Sequence, residues 1–200
     1  MLKLFKEYCP GKIPPIYPDR LGYGNDGEVF QLLEDPNKVI KFSVVYDCNY
    51  SNYANLDKVL SYLAMTNDPV CARVYERKYL GEYPWEFFGG VQRKYILHYY
   101  IMDKLNKISE DEYKVFHSII SHEDRNIVKN YSVEKIKDIL KGLSKGLDFD
   151  ERRVIFFYDN LINGPIHHVD LHPRNIMKDG AGYFKLIDFD RCYIKDILPK

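Results

Sequence analysis

His168-Val169-Asp170-Leu171-His172-Pro173-Arg174-Asn175-Ile176-Met177 is followed, after a short turn, by Phe184-Lys185-Leu186-Ile187-Asp188-Phe189-Asp190. The order is an aspartate, an asparagine five positions on, and an apolar run that closes on a second aspartate. The run Lys185-Leu186-Ile187 is short, apolar and β-branched enough to form a buried strand. It would deliver Asp188 beside the loop carrying Asp170 and Asn175. Three oxygen-bearing side chains then converge, a set that suits hard magnesium and a metal-bound triphosphate. Lys178-Asp179-Gly180-Ala181-Gly182 supplies a turn between two short strands within the eighteen positions (188 − 170) that separate the aspartates.

The rest of the chain limits what surrounds this stretch. At 200 residues it suits one domain, or two lobes sharing one site. Apolar residues make up 46%, enough for a packed core. Lys+Arg and Asp+Glu both number 29, so no bulk field argues for a nucleic-acid partner. The 18 tyrosines read as core and sheet surface rather than a stacking platform. Cys9, Cys48, Cys71 and Cys192 form no C-x-x-C pair and read as reduced thiols in a cytoplasmic protein. The N-terminus has no signal-like apolar region, and no run approaches the roughly 20 apolar residues of a membrane span.

Residues 1–20, with Pro10, Pro14, Pro15 and Pro18, read as an extended lead-in. Gly22-Tyr23-Gly24-Asn25-Asp26-Gly27-Glu28-Val29 fits G-x-G-x-x-G-x-V, in which glycines let a hairpin backbone lie close over phosphates. A glycine-rich β-turn is the plainer reading of the same residues. After a turn at residues 34–37 comes Lys38-Val39-Ile40-Lys41-Phe42, a β-rich run. Lys41 is either a poorly solvated strand lysine that needs an anion, or an edge-strand lysine facing water. Apolar positions 56, 59, 60 and 63 predict a helix over 54–65. Residues 70–80 and 94–102 read as two strands, joined by a loop with Pro84-Trp85 and Gly89-Gly90.

Residues 106–163 read as helical. Ser109 with Glu112 fits a capping box, followed by Tyr113, Phe116, Ile119 and Ile120 at helical spacing. Val133, Ile136, Ile139, Leu140 and Leu143 mark a second helix that stops near Gly142 or Gly146. Asp148 with Glu151 starts a third, which ends at Gly164-Pro165.

Taken in order, the glycine loop, the strand lysine, H-V-D-L-H-P-R-N and D-F-D resemble the protein kinase-like superfamily, which writes the last two H-R-D-L-x-x-x-N and D-F-G. The resemblance spans about residues 20–192. It implies an α+β, bilobal fold. Residues 1–20 lead in, 21–103 form an N-terminal lobe of antiparallel sheet with one helix, and 104–200 form a reduced, mainly helical lobe. The implied cofactors are ATP and magnesium (Mg2+). By this resemblance Asp170 accepts or orients the proton of the acceptor hydroxyl, Asn175 and Asp188 hold magnesium, and Lys41 holds the α- and β-phosphates. Gly22, Gly24 and Gly27 shape the phosphate cover. Val29, Val39, Met102 and Met177 sandwich adenine, while backbone groups of Asp103 and Leu105 pair with it. The family's helix glutamate, partner of the strand lysine, has only Asp57 as its counterpart; a solvated surface aspartate is the alternative.

The departures bear on the substrate. Val169 replaces the arginine of H-R-D. His172 stands where protein kinases commonly carry lysine, as it does in aminoglycoside and other small-molecule kinases. Arg174, near the implied acceptor site, points to an acidic substrate. Asp190 replaces the glycine of D-F-G, which suggests a loop that flips less freely. Ten residues follow Asp190, which leaves no activation segment or later helices and suggests a minimal kinase of viral or phage type. The leading expectation is a phosphotransferase acting on Ser/Thr of a protein. A small-molecule kinase and a nucleotide-binding pseudokinase are the alternatives. The dense histidines at 167–172 faintly resemble a binuclear hydrolase motif, but with different spacing and no later ligand set.

Overall fold

The computed structural model describes residues 1–23, 27–46, 50–87, 91–121, 132–143, 146–168 and 171–195. The fold is mixed α+β. The chain divides into two compact units: Met1–Thr66 with Arg73–Lys104, and Asn67–Ala72 with Leu105–Lys200.

The first unit is built on an antiparallel five-stranded sheet in the order β1-β2-β3-β5-β4. Its strands are β1 (Ile16–Tyr23), β2 (Gly27–Leu32), β3 (Lys38–Tyr46), β4 (Val74–Phe87) and β5 (Val91–Asp103). Strict alternation sorts their side chains by face. Phe30 and Leu32 of β2, Ile40, Phe42 and Val44 of β3, and Tyr95, Leu97, Tyr99 and Ile101 of β5 gather in one buried cluster. Leu80 of β4, Phe5 of α1 (Leu2–Tyr8) and Cys9, the C-cap of that helix, complete it.

That helix corrects the expectation of an extended lead-in. A seven-residue helix is not stable alone and leaves little periodic signal. Here Phe5 is fully buried, with its ring 4.8 Å from that of Phe42, so tertiary packing supports what local propensity does not. The prolines of the lead-in are placed as sheet rules require: Pro18 lies in β1, an edge strand of the sheet.

The two expected strands at 70–80 and 94–102 prove to be one long hairpin, β4 and β5, that runs through Pro84. Proline is tolerated there because β4 is the opposite edge strand. A bulge at Gly81, whose φ of +142° suits glycine, shifts the β4–β5 register. Helix α2 (Tyr50–Met65) begins before the expected residue 54 and buries Leu56, Val59, Leu60 and Leu63, the positions its periodicity marked.

The second unit packs α3 (Glu110–Ser121), α4 (Val133–Leu143) and α5 (Glu151–Asn163) around an aromatic core. The Phe116 ring lies 4.8 Å from Phe184, 5.5 Å from Phe157 and 5.9 Å from Tyr158. The expected capping box at α3 forms: Ser109 N–H donates to Glu112 Oε2 (2.8 Å) and Glu112 N–H to Ser109 Oγ (3.2 Å). The cap of α5 is Asp150, not Asp148; its carboxylate accepts from Arg153 N–H, while Asp148 N–H donates to Asp111 instead. Two small sheets complete the unit. One pairs β7 (Ile166–His168) with β10 (Cys192–Ile194), and the other orders β6 (Asn106–Lys107), β8 (Ile176–Lys178) and β9 (Phe184–Leu186) as β6-β8-β9.

Residues 67–72 belong to this second unit although they fall between α2 and β4 in the chain. Ala72 N–H donates to Leu186 O (2.8 Å) and Leu186 N–H to Val70 O (2.7 Å), which adds a parallel bridge beside β9. The apolar run from Val70 to Val74 therefore changes partners midway, without a glycine or proline to announce it. No helix among the described residues is long and apolar enough to cross a membrane.

Candidate active site

In the first unit, the ladder registers set most of the marked residues in rows. Val29 lies opposite Lys41, and Lys41 opposite Tyr100; Val39 lies opposite Met102. Directly paired and alternate residues share a face, so Val29, Val39, Lys41, Tyr100 and Met102 lie on one side of the sheet, away from the α1 core. Lys41 sits on an interior strand and is only 8% exposed, so the edge-strand reading fails. Its Nζ lies 5.8 Å from the centroid of the Tyr100 ring, a cation–π contact.

Two neighbours adapt to this ammonium. Gly27, at the start of β2, has no Cβ to obstruct it: a Cβ there would lie 2.8 Å from Lys41 Cε and 2.8 Å from Phe42 O. Gly22, opposite Val29, is under no such constraint, since an added Cβ would meet only Val29 at 3.9 Å. His98 is buried on the same face, and burial together with the Lys41 charge pushes its pKa down to about 3, keeping the imidazole neutral. Gly24 lies outside the described residues.

Asp57 of α2 is paired with Arg77 of β4. The helix–sheet ion pair that the resemblance implies for Lys41 is thus filled at Asp57 by a guanidinium, whose reach suits the shorter carboxylate. Asp103 ends β5 and ties down the chain there. Its N–H donates to Arg73 O (3.1 Å), and its carboxylate accepts from Arg73 N–H (3.1 Å) and Tyr75 O–H (2.7 Å).

In the second unit residues 171–190 form a hydrogen-bonded frame. Asp170 lies outside the described residues. His172 caps a 3-10 turn, Pro173–Asn175: its Nδ1 accepts from Arg174 N–H (3.1 Å), and its carbonyl accepts from Asn175 N–H (2.9 Å). Asn175 O in turn accepts from Ile187 N–H (3.1 Å), so Asn175 is fastened to the residue just before Asp188. Asp188 Oδ1 accepts from Asp190 N–H (3.3 Å). Among the described residues no non-glycine φ is positive, so Asp190 takes an ordinary backbone conformation in this loop. Met177 sits in β8 opposite Lys185 and Lys107, and Leu105, half-buried, immediately precedes β6.

The three histidines of 167–172 face different partners. His168 Nδ1 lies 3.0 Å from Cys192 Sγ, the His167 ring 4.6 Å from the Tyr193 ring, and His172 holds its turn. Burial drives the pKa of His168 down to about 4, against the opposing pull of the Asp188 charge. Among the described residues no three His, Cys, Asp or Glu side chains are grouped to hold a metal ion. Sequence reasoning gave no weight to Glu28, Asp68 or Lys195. Glu28 and Lys195 act through partners distant in the chain, which no local pattern signals, whereas the Asp68 carboxylate accepts from the N–H groups two and three positions on, a local turn signal.

No protein-family model matches the chain, and no curated protein sequence matches it at a significant level.

Proposed function

We propose that this chain is an ATP- and magnesium-dependent phosphotransferase of protein kinase-like, bilobal architecture, acting on a hydroxyl, with Ser/Thr of a protein as the leading acceptor. The observation that carries the reading is Lys41. It stands on an interior strand, 8% exposed, beside the Tyr100 ring, and Gly27 leaves its side chain space that any Cβ would take. An ammonium so placed can draw phosphate oxygens to a face on which Val29, Val39 and Met102 offer an apolar seat for a base.

The donor set fits magnesium by chemistry. Asn175 and Asp188 offer an amide oxygen and a carboxylate, both hard ligands, and the backbone bond from Ile187 N–H to Asn175 O ties their chain segments together in the second unit. Bound there, the ion would neutralise phosphate charge. The remaining roles fall to the protein: Lys41 orients the α- and β-phosphates, and Asp170 orients the acceptor hydroxyl and takes its proton.

A small-molecule acceptor is the second reading, and His172 favours it. Its Nδ1 is occupied by Arg174 N–H, so this position holds the loop rather than offering an ammonium to the transferred phosphate. Labelled ATP tests both. Lys41→Met and Asp170→Ala are each expected to lower transfer by about a hundredfold or more while leaving the fold intact. Label on protein supports the first reading and label on a metabolite the second. Turnover unchanged in both variants overturns the proposal.

A further inference from the structure

We propose that α1 is a clamp on the β1–β2 glycine hairpin, with Glu28 as the positioning residue through which the clamp acts. Glu28 stands between Gly27 and Val29, and both its carboxylate oxygens are engaged. Oε2 accepts from Leu2 N–H at 2.8 Å, at the start of α1, and Oε1 accepts from Arg20 Nη1 at 2.8 Å, on β1. One side chain therefore joins both strands of the hairpin to the helix. The link matters because the hairpin ladder is irregular: its register shifts between Ile16 and Arg20 and again between Arg20 and Gly22. Backbone pairing alone leaves such a ladder poorly specified.

The rest of α1 is anchored on two other strands, β3 and β4. Phe5 is fully buried against Phe42, Cys9 Sγ lies 3.2 Å from Tyr83 Oη, and the Tyr8 and Tyr83 rings are 4.7 Å apart. Since a seven-residue helix does not persist alone, undocking and unfolding of α1 are one event. That makes α1 a two-state element, and the hairpin is stiff in one state and loose in the other. A partner or modification that withdraws α1 would lower nucleotide affinity without touching the residues that contact phosphate. This last step rests on the phosphotransferase reading; the clamp itself does not.

Hydrogen exchange of β1 and β2 amides, measured beside Mg-ATP titration, separates the two. Phe5→Ala is expected to speed hairpin exchange about tenfold or more and to raise the Mg-ATP KM by a similar factor with kcat nearly unchanged. Glu28→Ala should do the same, and Glu28→Gln, which keeps an acceptor for Leu2 N–H, should restore part of the protection. Glu28→Ala carries the test if Phe5→Ala does not fold. Hairpin exchange within about twofold of the parent in a variant whose α1 has been released overturns the clamp. A loosened hairpin in a protein whose parent binds no Mg-ATP leaves the clamp standing and removes the nucleotide reading instead.

Discussion

Gly22 and Gly27 belong to one motif but are constrained differently, and the difference is measurable. A Cβ on Gly27 would press on Lys41 Cε and on the Phe42 carbonyl, which the ladder holds in place. Gly27→Ala is expected to lose about 1–3 kcal/mol of stability, read by urea unfolding. Gly22→Ala meets no such obstacle and should stay within about 0.5 kcal/mol of the parent. If backbone at Gly22 lies against phosphate, that variant weakens Mg-ATP binding without losing stability. His98 supplies a pH dependence. Its pKa falls from 6.5 unfolded to about 3 folded, so between those values the unfolded chain binds the extra proton and the folded chain does not. Its contribution is complete above pH 6.5 and is lost on acidification, with a slope of up to about 1.4 kcal/mol per pH unit. Buried His168, held down to about 4, adds a second slope of the same sign, so His98→Gln should remove about half of the dependence measured from pH 7 to pH 5.

At the scale of elements, the β8–β9 hairpin is what places Asp188 two residues beyond the end of β9, and its turn depends on Gly182. This glycine has φ +83°, and a Cβ there would collide with the Arg153 guanidinium. Gly182→Ala should lower the unfolding midpoint by the equivalent of about 1–3 kcal/mol, whereas Gly180→Ala, which meets nothing nearby, should change it little. Elements of this kind were readable in advance. The capping box at Ser109 and Glu112, the turn at 178–182 and the buried stripe of α2 all follow from residues within a few positions of one another. Helix α1 was not readable, because Phe5 gains its burial from Phe42, far along the chain. The true cap of α5 was ambiguous for a related reason: Asp148 and Asp150 are both competent, and contact with Asp111 decides between them.

At the scale of the molecule, the segment 67–72 leaves the first unit, joins the second and returns. Asp68 holds this excursion in shape. It is buried, and its Oδ1 accepts from Val70 N–H (2.9 Å) and Cys71 N–H (3.0 Å). Asp68→Ala leaves both donors unsatisfied and should cost about 1–3 kcal/mol. The loss should appear in hydrogen exchange at β9, in the second unit, while β3 and β5 keep their protection. Equal loss in both units would show that the excursion is not confined to the second.

By itself the sequence determined the residue types and their spacing: the glycine pattern, Lys41 in a β-rich run, the Asp170, Asn175 and Asp188 order, and the amphipathic stripes of the helices. These are readable because turn chemistry, capping and periodicity act over a few residues. Only the tertiary structure decided that Lys41 is interior rather than at an edge, that Asp57 answers to Arg77, that Glu28 ties a helix to the hairpin, and that 67–72 joins β9. Each of those outcomes is a pairing between residues tens of positions apart, chosen by burial and hydrogen-bond satisfaction, which no local pattern encodes.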